Sequence, residues 1–308
     1  MKLDTEKIAK SPTSVVKAQH DIDSRQTVKE TLKRGITLLL TYVVLCIAAF
    51  FFILPFMWMI SGALKVPSQI LAYPPSFIPN PVSLQNFASA WQSIPLLRYF
   101  WNSIVIAVLS TFGTVACSSL VAFGFARLRA RGKNIWFILL LSTMMIPYYV
   151  TIIPTFSLYQ SLGWLNTYLP LTVPSFLGVG GAFYIFLLRQ FFLSIPRELD
   201  EAATIDGASL FTIFWRIVLP LSKPALVVVA LFQFVASWND FFAPLIYLSS
   251  SNMYTLPVAV RFFQGLYSAN LGPLMAMACV TVLPVMLLFL FAQRMFVQGV
   301  ATTGIKGG

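Results

Sequence analysis

Long apolar runs separated by short polar links set the pattern of this chain. Ile36–Ile60 and Ser103–Ala126 hold no charged residue, and none occurs anywhere between Lys133 and Arg189. Crossing the hydrocarbon core of a bilayer takes roughly 20 apolar residues in a helix, so each of the first two runs predicts one span. The uncharged stretch after Lys133 has room for two, and the polar turn Gln160–Asn166 divides it into Ile135–Tyr159 and Thr167–Leu188. Pro224–Leu248 and Leu274–Ala292 complete a set of six spans, which predicts an all-α membrane protein. Pro147, Pro154, Pro170 and Pro174 interrupt spans three and four, and Gly178, Gly180 and Gly181 follow in span four. Such residues free backbone groups that a neighbour, water or a cavity must satisfy. Two readings stay open there: a transport path near mid-membrane, or ordinary kinks that help helices pack.

Composition agrees with the pattern. The 308 residues are 58% hydrophobic and 10% charged, with a mean hydropathy of +0.80, whereas soluble domains carry about 25% charged residues. The formal charge of +11 forms no single basic stripe, and nucleic-acid binding is set aside. The cations fall in clusters instead. Lys29, Lys33 and Arg34 precede the first span. Arg127, Arg129, Arg131 and Lys133 fill the second link, and Arg189, Arg197, Arg216 and Lys223 the fourth. The opposite side holds only Lys65 and Arg98 in the first loop, none in the third and Arg261 in the fifth. The positive-inside rule then puts both termini and the second and fourth links in the cytoplasm. Residues 1–35 read as a retained polar tail, and the first apolar run is too long for the core of a signal peptide. Cys46, Cys117 and Cys279 lie inside apolar runs and read as small core residues, and His20 as a solvated tail residue with no companion ligand.

The fourth link, Ser194 to Pro224, is too long and too patterned for a turn. Pro196 suits the first turn of a helix, and Glu198, Asp200 and Glu201 favour the positive end of its dipole. Leu199, Ala202, Ala203 and Asp206 follow at helical spacing, Gly207 is a natural stop, and Phe211, Phe214 and Val218 form a second apolar stripe ending at Pro220. The pattern predicts a helix–turn–helix on the cytoplasmic membrane face, with small residues at a crest that can dock closely in a partner's cleft.

Glu201-Ala202-Ala203, Gly207 after three intervening residues, and Ile217-x-Leu219-Pro220 after nine more resemble the EAA loop of ABC importer permeases. FARLRARGKN after span two, LSTMMIPYYVTIIP, SWNDFFAPLIYL, the first-loop segment YPPSFIPNPVSLQNFASAW and the C-terminal RMFVQGVATTGIKGG are similar to the MalG-type carbohydrate permeases. The resemblance covers about residues 65–308; the N-terminal tail departs from it. It implies a type I ABC importer permease fold: a tail (1–35), a first helix (36–60), an extracytoplasmic loop (61–101), a five-helix core (102–297) containing the EAA loop (194–224), and a cytoplasmic tail (298–308). It implies a bacterial or archaeal plasma membrane. The implied partners are a second, different permease, a cytoplasmic ABC ATPase dimer that binds ATP and Mg, an extracytoplasmic sugar-binding protein and the bilayer. Glu201, Ala202, Ala203, Asp206 and Gly207 are implied as the ATPase-coupling residues, with Glu201 facing a basic group of the ATPase and Gly207 setting the turn. This chain is expected to bind no cofactor of its own.

Asp240 is the one carboxylate inside an expected span. A charge there faces a cavity, a partner or the interface. With Trp238 and Asn239 it offers an aromatic face and hydrogen-bonding groups suited to a sugar, or it locks helices together. Ser249–Pro257 matches the family's loop that reaches into the binding protein, with Asn252, Met253 and Tyr254 at its tip, and equally suits a plain connector. The C-terminal Gly304–Gly307 segment extends toward the ATPase in relatives, or is a loose end. The chain contains no G-x-x-x-x-G-K-[ST] phosphate loop, and with a single histidine it has no nucleophile–His–acid triad. It is read as a transporter subunit, not an enzyme.

Overall fold

The computed structural model describes residues 12–263 and 270–304, and the side chains of 33–261, 263 and 270–293. The C-terminal tail from residue 305 and the start of the N-terminal tail lie outside the described residues, as do the side chains of His20 and Lys29. The chain divides into two units, Met1–Trp58 and Met59–Gly308.

The first unit is the body of one helix, α1 (Pro12–Ala63). It starts well before the apolar run, so helix extends back through the polar segment. Within the run, Thr37 Oγ1 donates to Lys33 O at 2.9 Å and Thr41 Oγ1 to Thr37 O at 2.8 Å. These bonds settle two hydroxyls that hydrocarbon could not.

The second unit opens on the first loop, which is folded rather than slack. Ser61 Oγ donates to Phe77 O, Lys65 Nζ to Ser76 O and Gln69 Nε2 to Asn80 O. Asn86, at the start of α2 (Gln85–Ser93), donates to Ala63 O (3.0 Å) and Lys65 O (2.7 Å).

The centre of this unit is α3 (Leu96–Arg127), which packs against four later helices. Ser103, Ala107, Ser110, Thr114, Ser118, Ala122 and Ala126 are buried along it at intervals of three and four, and small residues let helices close up where packing is the main attraction. Gly113 is the tightest point: a Cβ there would lie 2.6 Å from Phe176 Cδ2.

The remaining spans are built from pieces. Span three is α4 (Lys133–Ser142), ending in a short 3-10 turn, then α5 (Tyr148–Ser161), with a bend of 97° before Pro147 restarts the helix. Span four is α6 (Leu169–Phe176) and α7 (Ala182–Ser194), parted by Gly178 (φ +74°) and Gly180 (φ +75°). The fourth link contributes α8 (Glu198–Ile205) and α9 (Leu210–Leu221). Span five is α10 (Lys223–Trp238), then α11 (Phe242–Tyr247); α12 (Leu256–Val260) precedes span six, α13 (Leu271–Gly304). An uninterrupted fifth span over Pro224–Leu248 is not what forms. The helix stops at Trp238, because the Asp240 carboxylate accepts the Ala243 N–H (3.1 Å) and starts a new helix.

Two cores lie on α3. At its Arg127 end, Ala122, Phe123 and Ala126 pack with Ile185, Leu188 and Phe192 of α7, Phe214 and Val218 of α9, and Val229 of α10. At its Leu96 end, Leu96, Tyr99 and Ala107 pack with Phe234, Trp238, Leu256 and Met277. The helix between them is about 48 Å long at 1.5 Å per residue over its 32 residues. The cysteines are not core residues as expected: Cys46 is exposed and Cys117 and Cys279 are half-buried. A thiol on an apolar helix face is compatible with lipid and needs no protein cover.

Candidate functional site: the helix–turn–helix link and the loop end of the bundle

The link has the expected helix–turn–helix form, with two shifts in detail. Helix α8 begins at Glu198, so Pro196 lies before the helix and not in its first turn. Helix α9 runs past Pro220 to Leu221, passing through a π turn at Phe214–Val218. Pro220 has no N–H to give to the preceding turn, and the Leu219 N–H reaches back five residues to Phe214 O. At Leu221 the chain turns by 78° into α10.

Gly207 closes α8 in the left-handed region, φ +81°. Its N–H donates to Thr204 O (3.0 Å), and the Ala208 N–H donates to Ala203 O (2.9 Å). That is the paired capping geometry that favours glycine. Ser209 caps α9, its Oγ accepting the Thr212 N–H at 3.2 Å.

The EAA residues divide between two faces. Ala203 packs against the core at the Arg127 end. Glu201, Ala202, Asp206 and Gly207 are exposed. Around them Ile205 (86% exposed), Phe211 (68%) and Trp215 (62%) present uncovered apolar surface, with the Phe211 and Trp215 rings stacked at 12°. This surface is apolar, with two exposed acids, Glu201 and Asp206, beside it.

Arginines hold α8 from behind. Arg127 Nε lies 2.9 Å from Asp200 Oδ2, in side chains 4% and 18% exposed. Arg127 Nη2 donates to Ile195 O (3.0 Å), and Arg197 Nη2 to Ala126 O (3.4 Å). Arg189 Nε donates to Phe125 O (3.4 Å), and its guanidinium lies 4.2 Å from the centre of the Phe137 ring. In the sequence these residues registered only as topology charges and a dipole acid.

At the other end the three residues Trp238, Asn239 and Asp240 part company. Trp238 is fully buried, stacked on Phe234 (10° between planes), edge-on to Phe100, with Nε1 donating to Thr281 O at 2.9 Å. That is the helix-locking alternative. Asn239 is exposed and Asp240 half-buried at the break in span five. Nearby, Tyr149 packs edge-on to Phe242 at 5.4 Å.

Asn252, Met253 and Tyr254 form and follow a 3-10 turn, Ser251–Met253. Two asparagines that the sequence reading passed over pin this loop. Asn102 Nδ2 donates to Asn252 O (3.0 Å) and Tyr254 O (2.9 Å). Asn166, at φ +57°, accepts the Ser249 and Ser250 N–H groups on Oδ1 (3.1 and 2.9 Å) and donates from Nδ2 to Ser250 Oγ (2.8 Å). Its own N–H donates to Tyr247 O at 2.8 Å. Asn166 was legible only as part of a polar turn; its preference for left-handed backbone was the available signal.

With this geometry in view, comparison with known proteins is informative. Residues 114–302 match the family described as binding-protein-dependent transport system inner membrane component. The lactose transport system permease LacG of Rhizobium radiobacter is 34% identical, over 87% of this chain and 97% of its own length. The trehalose/maltose permease MalG of Thermococcus litoralis is 33% identical over 91% and 99%, and the arabinooligosaccharide permease AraQ of Bacillus subtilis 32% over 83% and 91%. Among solved structures, a chain of a bacterial ABC transporter involved in alginate import aligns with a TM-score of 0.74 at 21% identity, covering 84% of this chain and 96% of that one. That likeness supports a common fold, the six-span importer permease with its EAA helix. The chain belongs to the inner-membrane components of binding-protein-dependent transport systems.

Proposed function

We propose that this chain is the translocating permease subunit of an ATP-driven, binding-protein-dependent carbohydrate importer, and that the solute is an oligosaccharide. The observation that carries the reading is the helix–turn–helix link. Its apolar, acid-edged face is uncovered, while its other side is built into the core at the Arg127 end. The relatives' named solutes (lactose, trehalose and maltose, arabinooligosaccharides) support a sugar.

In this reading both termini and the basic links face the cytoplasm. Ile205, Phe211 and Trp215 seat in a cleft of the ATPase, and Glu201 meets a cationic group there. Gly207 lets α8 and α9 fold against each other. The ATPase holds ATP and Mg; this chain supplies a lever. Because α9 turns directly into α10, closure of the ATPase pair moves span five and, through the cores on α3, the outer end of the bundle. A second, different permease completes the path, and the paired subunits rock between inward- and outward-facing states as rigid bodies. Asn239 and Asp240, at the helix break, line the solute's route with Trp238 as the buried support behind them. The Asn252–Tyr254 loop meets the sugar-binding protein.

The test is uptake. A host strain lacking this chain is supplied with radiolabelled di- and trisaccharides, with and without the gene restored. Restored uptake of at least one of them, abolished by depleting ATP, is the expected result. Uptake of every sugar unchanged by the deletion, with loss of amino-acid or phosphate uptake instead, overturns the carbohydrate reading.

A further inference from the structure

Helix α8 has eight residues, too few to hold a helix in water without tertiary support. Its position depends on what ties it to the body. The chain connection leads back to α7, but the side-chain ties lead elsewhere. Arg127, the last residue of α3, reaches Asp200 in the first turn of α8 at 2.9 Å and the Ile195 carbonyl before it at 3.0 Å. Arg197, the residue preceding α8, returns the tie to Ala126 O at 3.4 Å. Both bridges therefore join the link to the end of α3, which, with α10, contributes to both cores.

The Arg127 side chain is 4% exposed, so little water competes for it. Its hold on Asp200 is an ion pair without hydrogen-bond alignment: Arg127 Nε and Nη1 and Asp200 Oδ1 have no hydrogen-bond partner among the described residues. A pair that only stapled the fold would gain by closing both edges into a planar fork. A close ion pair with no aligned hydrogen bond between its members is the arrangement of a joint that stays connected while the two helices change angle.

We infer that the Arg127–Asp200 pair is a positioning joint that carries movement of the link into α3, so that α3, and not only the chain-connected spans four and five, relays it to the outer end. This rests on the importer reading above and adds a route to it. A free-standing structural role predicts loss of assembly; a joint predicts assembled complexes whose outer end no longer answers.

The importer is purified in nanodiscs with its ATPase, with Cys46, Cys117 and Cys279 replaced by serine and Trp101→Cys carrying a nitroxide. Trp101 is 58% exposed, near the Leu96 end of α3. The change in spin-label mobility on adding MgATP and vanadate is recorded for the parent, Arg127→Gln, Asp200→Asn, the reversed pair Arg127→Asp with Asp200→Arg, and Arg129→Gln as an exposed control. The ATPase is expected in every preparation. The mobility change is expected to fall at least fivefold in both single variants, to return to at least half in the reversed pair, and to stay whole in Arg129→Gln. A full response in both single variants overturns the joint. If a single variant fails to assemble, Asp200→Glu, which keeps the charge and lengthens the tie by one methylene, is measured in its place: a response below half supports the joint, and a full one overturns it. Absence of the ATPase from the parent preparation is a separate result, which defeats the importer reading itself.

Discussion

The two ends of α3 are fastened by different chemistry. At the Arg127 end the ties use full charges: Arg127 on Asp200 and Ile195 O, Arg197 on Ala126 O, and Arg189 over Phe137. At the Leu96 end the ties to the 249–254 loop are neutral: Asn102 and Asn166 hold it through amide bonds, and Trp238 fills the core. Neutral amides bonded to backbone fix one geometry. An ion pair without an aligned hydrogen bond tolerates a change of angle while keeping its partner. The difference points to a Leu96 end built as a fixed frame and an Arg127 end built as a joint.

The comparison is most exposed to attack at Trp238. Trp238→Ala removes a fully buried indole and its bond to Thr281 O, and is expected to destabilise the detergent-solubilised chain by about 3–5 kcal/mol, read as the largest fall in thermal midpoint of the set. Asn166→Ala deletes three side-chain bonds and strains a residue at φ +57°. A loss of about 3 kcal/mol follows, seen as faster hydrogen exchange at Ser249 and Ser250, with Asn166→Gly removing the amide while sparing the backbone. At the other end Arg127→Gln is expected to cost about 2 kcal/mol, since Asp200 keeps some solvent, while its effect on ATP-driven response is far larger. A thermal midpoint lowered more by Arg127→Gln than by Trp238→Ala would erase the frame–joint distinction. The smallest expected effect is Gly207→Ala, about 1 kcal/mol for a side chain at φ +81° with nothing within 4 Å. It is read as a thermal midpoint lowered by no more than a few degrees, the smallest fall of the set, with weaker ATPase retention.

The sequence displayed the parts of this fold that depend on solvent. The apolar runs named the spans, because hydrocarbon excludes charge and leaves a one-dimensional record. The EAA link was legible for a related reason: Gly207 and the acids of the first turn carry local backbone rules. What was hidden depends on partners distant in the chain. Arg127 meets Asp200 only after α3 and α7 pack, and Asn166 meets Ser250 only when spans four and five bring their ends together. The split of span five was hidden because Asp240, read as a buried charge, acts on the backbone of its own neighbours. Trp238, grouped with Asn239 and Asp240 by adjacency, is buried in the core, whereas Asn239 is exposed and Asp240 half-buried.

The central claim is that the Ser194–Pro224 link joins this chain to an ATPase. The most direct measurement is co-purification from the native host in mild detergent, for the native chain beside a Glu201→Lys, Gly207→Pro double variant, with the retained proteins identified. The account predicts a P-loop ATPase and a second six-span permease with the native chain, and loss of the ATPase with retention of the permease in the variant. A chain that purifies alone, or a variant that keeps the ATPase as well as the native chain does, contradicts it.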